Sequence, residues 1–110
     1  MALAKKYRLA KKDIEMVLKR GRTAKNSFFF IKFLENQAEH FRAAIVISNK
    51  VSKKAVVRNR IRRIIAESFR SGQVLKRSFD MVVVATANIV EKRTKEIKRE
   101  VEQTINKIFV

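Results

Sequence analysis

Between residues 57 and 71 the apolar positions recur with the period of an α-helix. At 100° per residue, apolar side chains gather within about 80° of Ile61 on one side of such a helix. They are Val57, Ile61, Ile64, Ile65 and Phe69, with Ser68 among them. A stripe of this width is typical of a helix that packs on a hydrophobic core. The sequence therefore predicts a helix over about 57–71, ended by Gly72.

The opposite side of this helix is positively charged. It consists of Asn59, Arg62, Arg63, Ala66 and Arg70, flanked by Arg60 and Glu67. Between Lys50 and Arg70 there are eight lysines and arginines, and the only acidic residue is Glu67. Like charges at i,i+4 repel, and a surface that serves solubility alone usually mixes both signs. We therefore expect a polyanion to bind this side, with a purely solvated helix face as the alternative.

Two further helices are predicted. Ile14, Val17 and Leu18 share a helical face, and Gly21 follows two basic residues as a C′ glycine would, which indicates a short helix over 11–20. From about 92 to 109, helical spacing relates Ile97, Val101, Thr104, Ile105 and Ile108, which predicts an amphipathic final helix. Residues 1–10 form a basic arm that we expect to be loosely ordered, with Tyr7 and Leu9 available to tuck in.

The remaining apolar segments have the patterns of strands. In 26–34, alternation places Phe29, Ile31 and Phe33 on one face and Phe28, Phe30 and Lys32 on the other. Segment 41–48 is nearly continuous in apolar residues, which predicts a central strand. Segment 79–86 is rich in β-branched residues, which predicts a buried strand. The order helix, two or three strands, helix, strand, helix predicts a single α+β domain over 1–110, a two-layer sandwich with its helices mainly on one face.

Composition limits the classes of function. A net charge of +17 and a pI near 11.1 favour nucleic acid as a partner, with an anionic membrane surface second. The hydrophobic content of 46% is too high for a disordered basic tail. The chain has no cysteine, which excludes disulfides and thiolate metal sites and fits a reducing cytosol. No signal-peptide pattern is present, and no apolar segment approaches the roughly 20 residues that cross a bilayer.

Candidate catalytic chemistry is sparse. His40 is the only histidine and has no cysteine to pair with, and two glycines cannot build a phosphate loop. Asp80, beside a buried strand, is a candidate anchor for a nearby arginine. Glu35 and Glu39 share a turn whose oxygens suit a hard divalent cation, although a solvated turn is the more ordinary interpretation. None of these residues assembles a protein active site.

Arginine and aromatic side chains carry the functional signal. Guanidinium groups bind phosphate oxygens bidentately, which suits a folded nucleic-acid backbone. Phe28, Phe30 and Lys32 suggest a second surface where aromatic rings stack on unpaired bases beside a cation; an ordinary core strand is the alternative.

The basic helix also carries a resemblance to a known family. Lys54-Ala55, Arg58-Asn59-Arg60-Ile61-Arg62-Arg63 and Glu67-Ser68-Phe69-Arg70 resemble the arginine-asparagine-arginine signature of the bacterial ribonuclease P protein subunit. The agreement extends along nearly the whole chain, through Leu9, Gly21, Phe41-Arg42 and Phe79-Asp80.

The resemblance implies both a fold and a role. The fold would be an α-β-β-β-α-β-α sandwich like ribosomal protein S5 domain 2, with a left-handed β-α-β crossover. The protein would bind the catalytic RNA of ribonuclease P and the 5′ leader of precursor tRNA in the cytoplasm, one protein per RNA. Hydrolysis would belong to the RNA and its Mg²⁺, with no metal tightly bound by the protein.

The resemblance also assigns residues. Contacts to the RNA subunit would come from Lys53, Lys54, Arg58, Asn59, Arg60, Arg62, Arg63 and Arg70. The leader cleft, between the first helix and the sheet, would be lined by Ile14, Leu18, Phe28, Phe30, Lys32, Asn59 and Arg63. The family's metal-binding loop would fall on Glu35 and Glu39.

The chain departs from the family pattern at three positions. Ile14 and Leu18 stand where relatives usually carry aromatic residues, which favours apolar contact over stacking. Ala66 stands where a basic residue is usual, so one charge is missing and RNA can approach more closely. The alternative functions are a ribosomal protein or general RNA chaperone on a similar fold and, from another class, a self-sufficient nuclease.

Overall fold

A computed structural model describes residues 3–71 and 74–109, which form one α+β sandwich. Its helices are α1 (Lys11–Arg20), α2 (Ala55–Ser68) and α3 (Thr94–Ile108). Its strands are β1 (Arg22–Lys25), β2 (Phe29–Glu35), β3 (Arg42–Val46) and β4 (Phe79–Ala85). Short 3₁₀ turns occupy Lys5–Tyr7, Phe69–Ser71, Val74–Lys76 and Ala87–Glu91. The predicted class and element order are confirmed.

The four strands form one sheet in the order β1-β2-β4-β3. β2 pairs antiparallel with both β1 and β4, and β4 pairs in parallel with β3. α2 connects the parallel strands β3 and β4, as the predicted β-α-β unit requires. The handedness of this crossover stays a prediction.

Helices cover both faces of the sheet, with two of the three on one face. α2 and α3 pack on the main core, to which the sheet contributes Phe29, Ile31, Phe33, Met81 and Val83. α1 packs on the opposite face, where Val17 and Val82 are buried together with Leu9. None of the described helices combines the length and apolar character needed to span a membrane.

The prediction that 41–48 is a central strand is wrong, because β3 lies at the edge of the sheet. Its outer side is covered near one end by the N-terminal arm, where Arg8 forms a bridge to Ala43 and the Leu9 N–H donates to the Ala43 carbonyl at 3.1 Å. The inner strands are β2 and β4, and in β4 Met81, Val82 and Val83 are fully buried. An edge strand covered by an arm and sandwiched between helices has the same apolar pattern as a central one.

Phe28 also departs from its predicted place. It precedes β2 and is only 2% exposed, with its ring against Phe29 at 5.4 Å between centroids. Phe28 therefore belongs to the main core and does not share a face with Phe30 and Lys32. Within β2 itself the predicted alternation holds, since Phe29, Ile31 and Phe33 are buried while the intervening residues are partly exposed.

Two features of the predicted helices are corrected. Gly21 ends α1 with φ −71° and ψ 156°, which is extended backbone and not the left-handed conformation of a C′ glycine. Ala66, expected on the polar side of α2, is buried with 3% exposure. α2 ends at Ser68 and continues as a 3₁₀ turn, and Gly72 lies outside the described residues.

Candidate nucleic-acid interface

The apolar stripe of α2 fixes the orientation of its basic side. Ile61, Ile65 and Phe69 are fully buried, and Ile64 and Ser68 are nearly so. The Phe69 ring meets Phe41 edge-on at 5.1 Å between centroids. Since this side of the helix is packed into the core, the other side faces outwards, except at Ala66, which is buried.

The residues predicted to bind RNA lie on α2 or next to its two ends, with Lys53 and Lys54 before the helix and Arg70 after it. Exposed positions are Lys53, Lys54, Asn59, Arg60, Arg63 and Arg70, while Arg58 and Arg62 are half-buried. Arg62 Nη1 donates to Asn59 Oδ1 at 2.8 Å, and Arg58 Nη1 donates to the Ser52 carbonyl at 2.8 Å. Each bond uses one of the five N–H donors of a guanidinium and restricts the side chain without neutralising it. We call these eight residues the basic face.

The acid on α2 does not neutralise the basic face. Glu67 Oε2 instead forms an ion pair with Lys98 Nζ of α3 at a distance of 3.4 Å. Among the described residues, no ion pair joins a carboxylate to any member of the basic face. The basic face therefore presents positive charge alone, which favours a polyanionic ligand.

A second surface lies on the face of the sheet that carries α1. Phe30 and Lys32 of β2 are partly exposed there, in register with Val84 and Val82 of β4. Ile14 of α1 packs on the small core of this face, and Leu18 is 38% exposed. Of the eight phenylalanines, all of them in the described part of the chain, Phe30 alone belongs to neither core cluster. These residues share the α1 face of the sheet and offer one aromatic ring and one cation.

The predicted cleft residues are thus only partly brought together. Ile14, Leu18, Phe30 and Lys32 share the α1 face of the sheet. Phe28 lies in the main core, and Asn59 and Arg63 lie on α2, which packs on the opposite face.

A largely buried ion pair joins β3 to β4 beneath α1 and extends to Asp13 of that helix. Arg42 donates from Nε and Nη2 to the two carboxylate oxygens of Asp80 at 2.9 and 2.8 Å. Asn36 Nδ2 donates to Asp80 Oδ1 at 2.7 Å, and Asp13 of α1 lies 3.7 Å from Arg42 Nη1. The hydrogen bonds to Asp80 raise the pKa of Arg42 above its ordinary value, against the opposing effect of burial. The predicted role of Asp80 as an arginine anchor is confirmed.

The remaining candidates for catalysis or metal binding are His40, Glu35 and Glu39. His40 Nδ1 lies 2.8 Å from the Ala38 carbonyl, and its Nε2 lies 2.8 Å from the Lys6 carbonyl. Within the described residues no group of three or more histidines and carboxylates could hold a metal ion. Metal binding by Glu35 and Glu39 therefore stays a prediction.

An apolar groove next to the basic face was not predicted from the sequence. Arg8 and Arg62 flank an apolar groove of about 240 Å³ between the N-terminal arm, β3 and α2. Its sequence signals are weak: Arg8 alternates with Tyr7 and Leu9, and Ala66 is a small residue among the arginines on the polar side of α2.

Comparisons with known proteins agree with this architecture. The sequence matches the Ribonuclease P family over residues 3–109. The ribonuclease P protein component of Streptococcus agalactiae is 37% identical over 90 residues, which cover 81% of this chain and 82% of that protein. The Coxiella burnetii component is 39% identical over 82 residues, which cover 74% of this chain and 64% of that protein.

Solved structures give the same result. A Staphylococcus aureus RNase P protein mutant with defective mRNA degradation activity has a TM-score of 0.84 and 30% identity, with 94% of this chain and 89% of that one covered. The Thermotoga maritima RNase P protein has a TM-score of 0.75 and 25% identity, with 87% and 96% covered. With the family match spanning almost the entire sequence and the fold shared, the chain belongs to the ribonuclease P protein family.

Proposed function

We propose that this chain is the protein subunit of ribonuclease P and binds the catalytic RNA through the basic face of α2. The observation that carries the proposal is the unneutralised row of guanidinium groups on a helix whose other side is locked into the core. A rigid row of arginines suits the fixed phosphate positions of a folded RNA, because each fork binds two oxygens. Every phosphate contact releases counterions, which makes such binding strongly dependent on salt.

We further propose that the α1 face of the sheet holds the 5′ leader of precursor tRNA. Phe30 offers one ring for stacking on an unpaired base, and Lys32 offers a charge for the adjoining phosphate. Ile14 and Leu18 supply apolar contact only, so leader binding depends more on Phe30 than it would in a cleft with several aromatic residues.

We assign hydrolysis of precursor tRNA to the RNA subunit and its Mg²⁺. In the protein, both nitrogens of His40 face backbone carbonyls, so the only imidazole is engaged in holding the arm and the 36–40 loop. The protein would therefore contribute affinity and reduce the Mg²⁺ requirement, with one copy per RNA in the cytoplasm.

Reconstitution tests this function. A bacterial ribonuclease P RNA is incubated with precursor tRNA at low Mg²⁺, with and without the purified chain. We expect leader release to require both RNA and protein, and the protein alone to release none. A general RNA chaperone would be no better than an unrelated basic protein of equal charge. Cleavage by the protein alone would instead show a self-sufficient nuclease.

A further inference from the structure

The groove beside the basic face has an apolar interior and a charged rim. Leu9, Ala43, Ile45 and Ala66 contribute to its walls, and Arg8 and Arg62 lie at its edges. At about 240 Å³ it is smaller than the roughly 300–1,000 Å³ clefts that hold drug-sized ligands. Its size and apolar walls suit one planar ring system.

The free edge of β3 adds hydrogen-bonding groups to this groove. The Ala43 carbonyl points to the outer edge, where it accepts the bond from Leu9. Since alternate residues of a strand direct their backbone groups to the same side, Ile45 presents its N–H and C=O on this outer edge too. Within the described chain, no backbone bond from outside the sheet reaches Ile45. A ring with its own donors and acceptors can therefore be bound by its edge as well as its face.

The small size of Ala66 keeps the groove open. Ala66 is one turn beyond Arg62 on α2, and its side chain forms part of the groove wall. A long basic residue at this position would occupy the space between the helix and the arm. Compared with the family pattern, Ala66 removes one positive charge and leaves an apolar recess beside Arg62, whose charge remains.

We propose that this groove binds one unstacked nucleobase of the ribonuclease P RNA, with Arg62 and Arg8 on its flanking phosphates. The inference rests on the proposed function of the basic face, because Arg62 belongs to both surfaces. Charge complementarity identifies the ligand: an apolar slot between two guanidinium groups fits an aromatic base carried by an anionic backbone. The RNA subunit is favoured over the leader because Arg62 and Ala66 of α2 line the groove at the edge of the sheet, whereas Phe30 and Lys32, proposed to bind the leader, lie on the inner strand β2.

Filling the groove tests this proposal. Ala66→Leu places a larger apolar side chain in the slot with little change in helix propensity. The matched control is Ala55→Leu on the same helix, since Ala55 is exposed and does not line the groove. We expect Ala66→Leu to weaken binding of the RNA subunit at least about fivefold, the lower end of what one stacked base contributes. The slope of log affinity against log salt should stay unchanged, because no phosphate contact is removed.

The outcomes separate this proposal from the proposed function. If the wild-type chain does not bind ribonuclease P RNA, the proposed function fails; if it binds and a folded Ala66→Leu variant binds equally well, the groove proposal alone is overturned. A loss confined to the affinity of the assembled holoenzyme for precursor tRNA would also overturn it, because the base would then come from the leader.

A second measurement does not depend on the variant folding. The unmodified chain is titrated with adenosine 5′-monophosphate and, separately, with ribose 5-phosphate, while NMR follows the methyl groups of Ala43, Ala44 and Ala66. We expect the nucleotide to shift these signals and the sugar phosphate to leave them in place. Equal shifts with both ligands, or none with either, would overturn the proposal.

Discussion

Gly21 joins α1 to β1 at a point where three backbone segments meet. Its φ of −71° is open to any residue, so conformational freedom does not explain the glycine. A Cβ at this position would lie 2.5 Å from the Val17 carbonyl oxygen and 3.0 Å from that of Phe33. The side chain is absent because α1 ends directly against β2.

We expect Gly21→Ala to destabilise the fold by about 2 kcal/mol, within the range for overpacked sites. At a compatible φ, the same substitution would stabilise by about 0.4–1 kcal/mol through the unfolded chain, so the sign of the change distinguishes the two effects. Urea denaturation measures it, and an unchanged or higher midpoint would contradict the close approach. Because the strain falls on α1, the variant should also bind precursor tRNA more weakly in the holoenzyme.

Arg42 is the second residue on which the position of α1 depends. Replacing it with methionine would leave Asp80, which is 6% exposed, without its charged partner. Breaking a hydrogen-bonded, largely buried pair in this way costs about 3 kcal/mol. The matched control is Lys98→Met, which breaks the half-exposed pair with Glu67 and should cost less than about 1 kcal/mol. Similar losses for both variants in urea denaturation would contradict this difference.

The pH dependence of the Arg42 contribution follows from the direction of its shift. The pKa of Arg42 is raised in the folded protein, so the folded state binds this proton more tightly than the unfolded chain does. The contribution is therefore fully present below the ordinary arginine pKa and is lost only as the pH rises through the higher folded value. Arg42 stays protonated between about pH 6 and 9, so its ionisation should cause no change over this range in the difference in unfolding free energy between wild type and Arg42→Met.

At the scale of elements, α2 separates the side that packs on the core from the side that we propose binds RNA. Arg63 is exposed and Arg62 is held by Asn59, and neither supports the core. Replacing both with alanine should leave the circular dichroism spectrum and the unfolding midpoint nearly unchanged. The slope of log affinity for ribonuclease P RNA against log salt should become shallower by about 0.7–0.9 for each phosphate that the variant no longer neutralises.

The control for this prediction is an equal change of charge on another helix. Arg99→Ala with Lys95→Ala removes two charges from α3, where both residues are exposed. We expect a much smaller change in slope for this variant. Equal changes for the two variants would show that net charge, and not the basic face, determines binding.

Periodicity predicted the helices well because a helix that is buried on one side carries apolar residues at regular spacing in its sequence. The interior residues Ile61 and Ile97 confirm it, since both are fully buried. Ala66 was expected to be exposed because it lies on the polar side of α2, but there it lines a groove with the arm and β3, which periodicity within one helix cannot reveal. Its small size was the only signal.

The strands were harder to predict for two physical reasons. β1 has only four residues, three of them exposed, so it has neither length nor alternation, and it exists because it pairs with β2. The central place of β4 and the edge place of β3 depend on pairing between distant segments, which leaves no local pattern. The basic face could be predicted because its residues lie within one short stretch of sequence on and beside one helix, whereas the groove combines the arm, β3 and α2.

At the scale of the whole molecule, the charge of +17 acts over distances comparable to the protein itself. The Cα coordinates extend 35 × 27 × 24 Å. At about 0.01 M salt the Debye length is roughly 30 Å, so almost every pair of positive charges repels; at 0.1 M it is roughly 10 Å, and distant pairs are screened. The unfolded chain is more expanded and relieves this repulsion, so excess charge destabilises the compact state.

The free protein should therefore become more stable as salt is added, while its binding to RNA becomes weaker. Between about 0.01 and 0.2 M sodium chloride we expect the free energy of unfolding to rise by on the order of 2 kcal/mol, measured by urea denaturation at fixed pH. At low salt, ribonuclease P RNA should raise the thermal midpoint, since a ligand that binds only the folded state stabilises it. This stabilisation should disappear at high salt, where phosphate contacts no longer hold. A stability that fell with salt in the absence of RNA would mean that attractive ion pairs outweigh the repulsion, although just four ion pairs are found among the described residues.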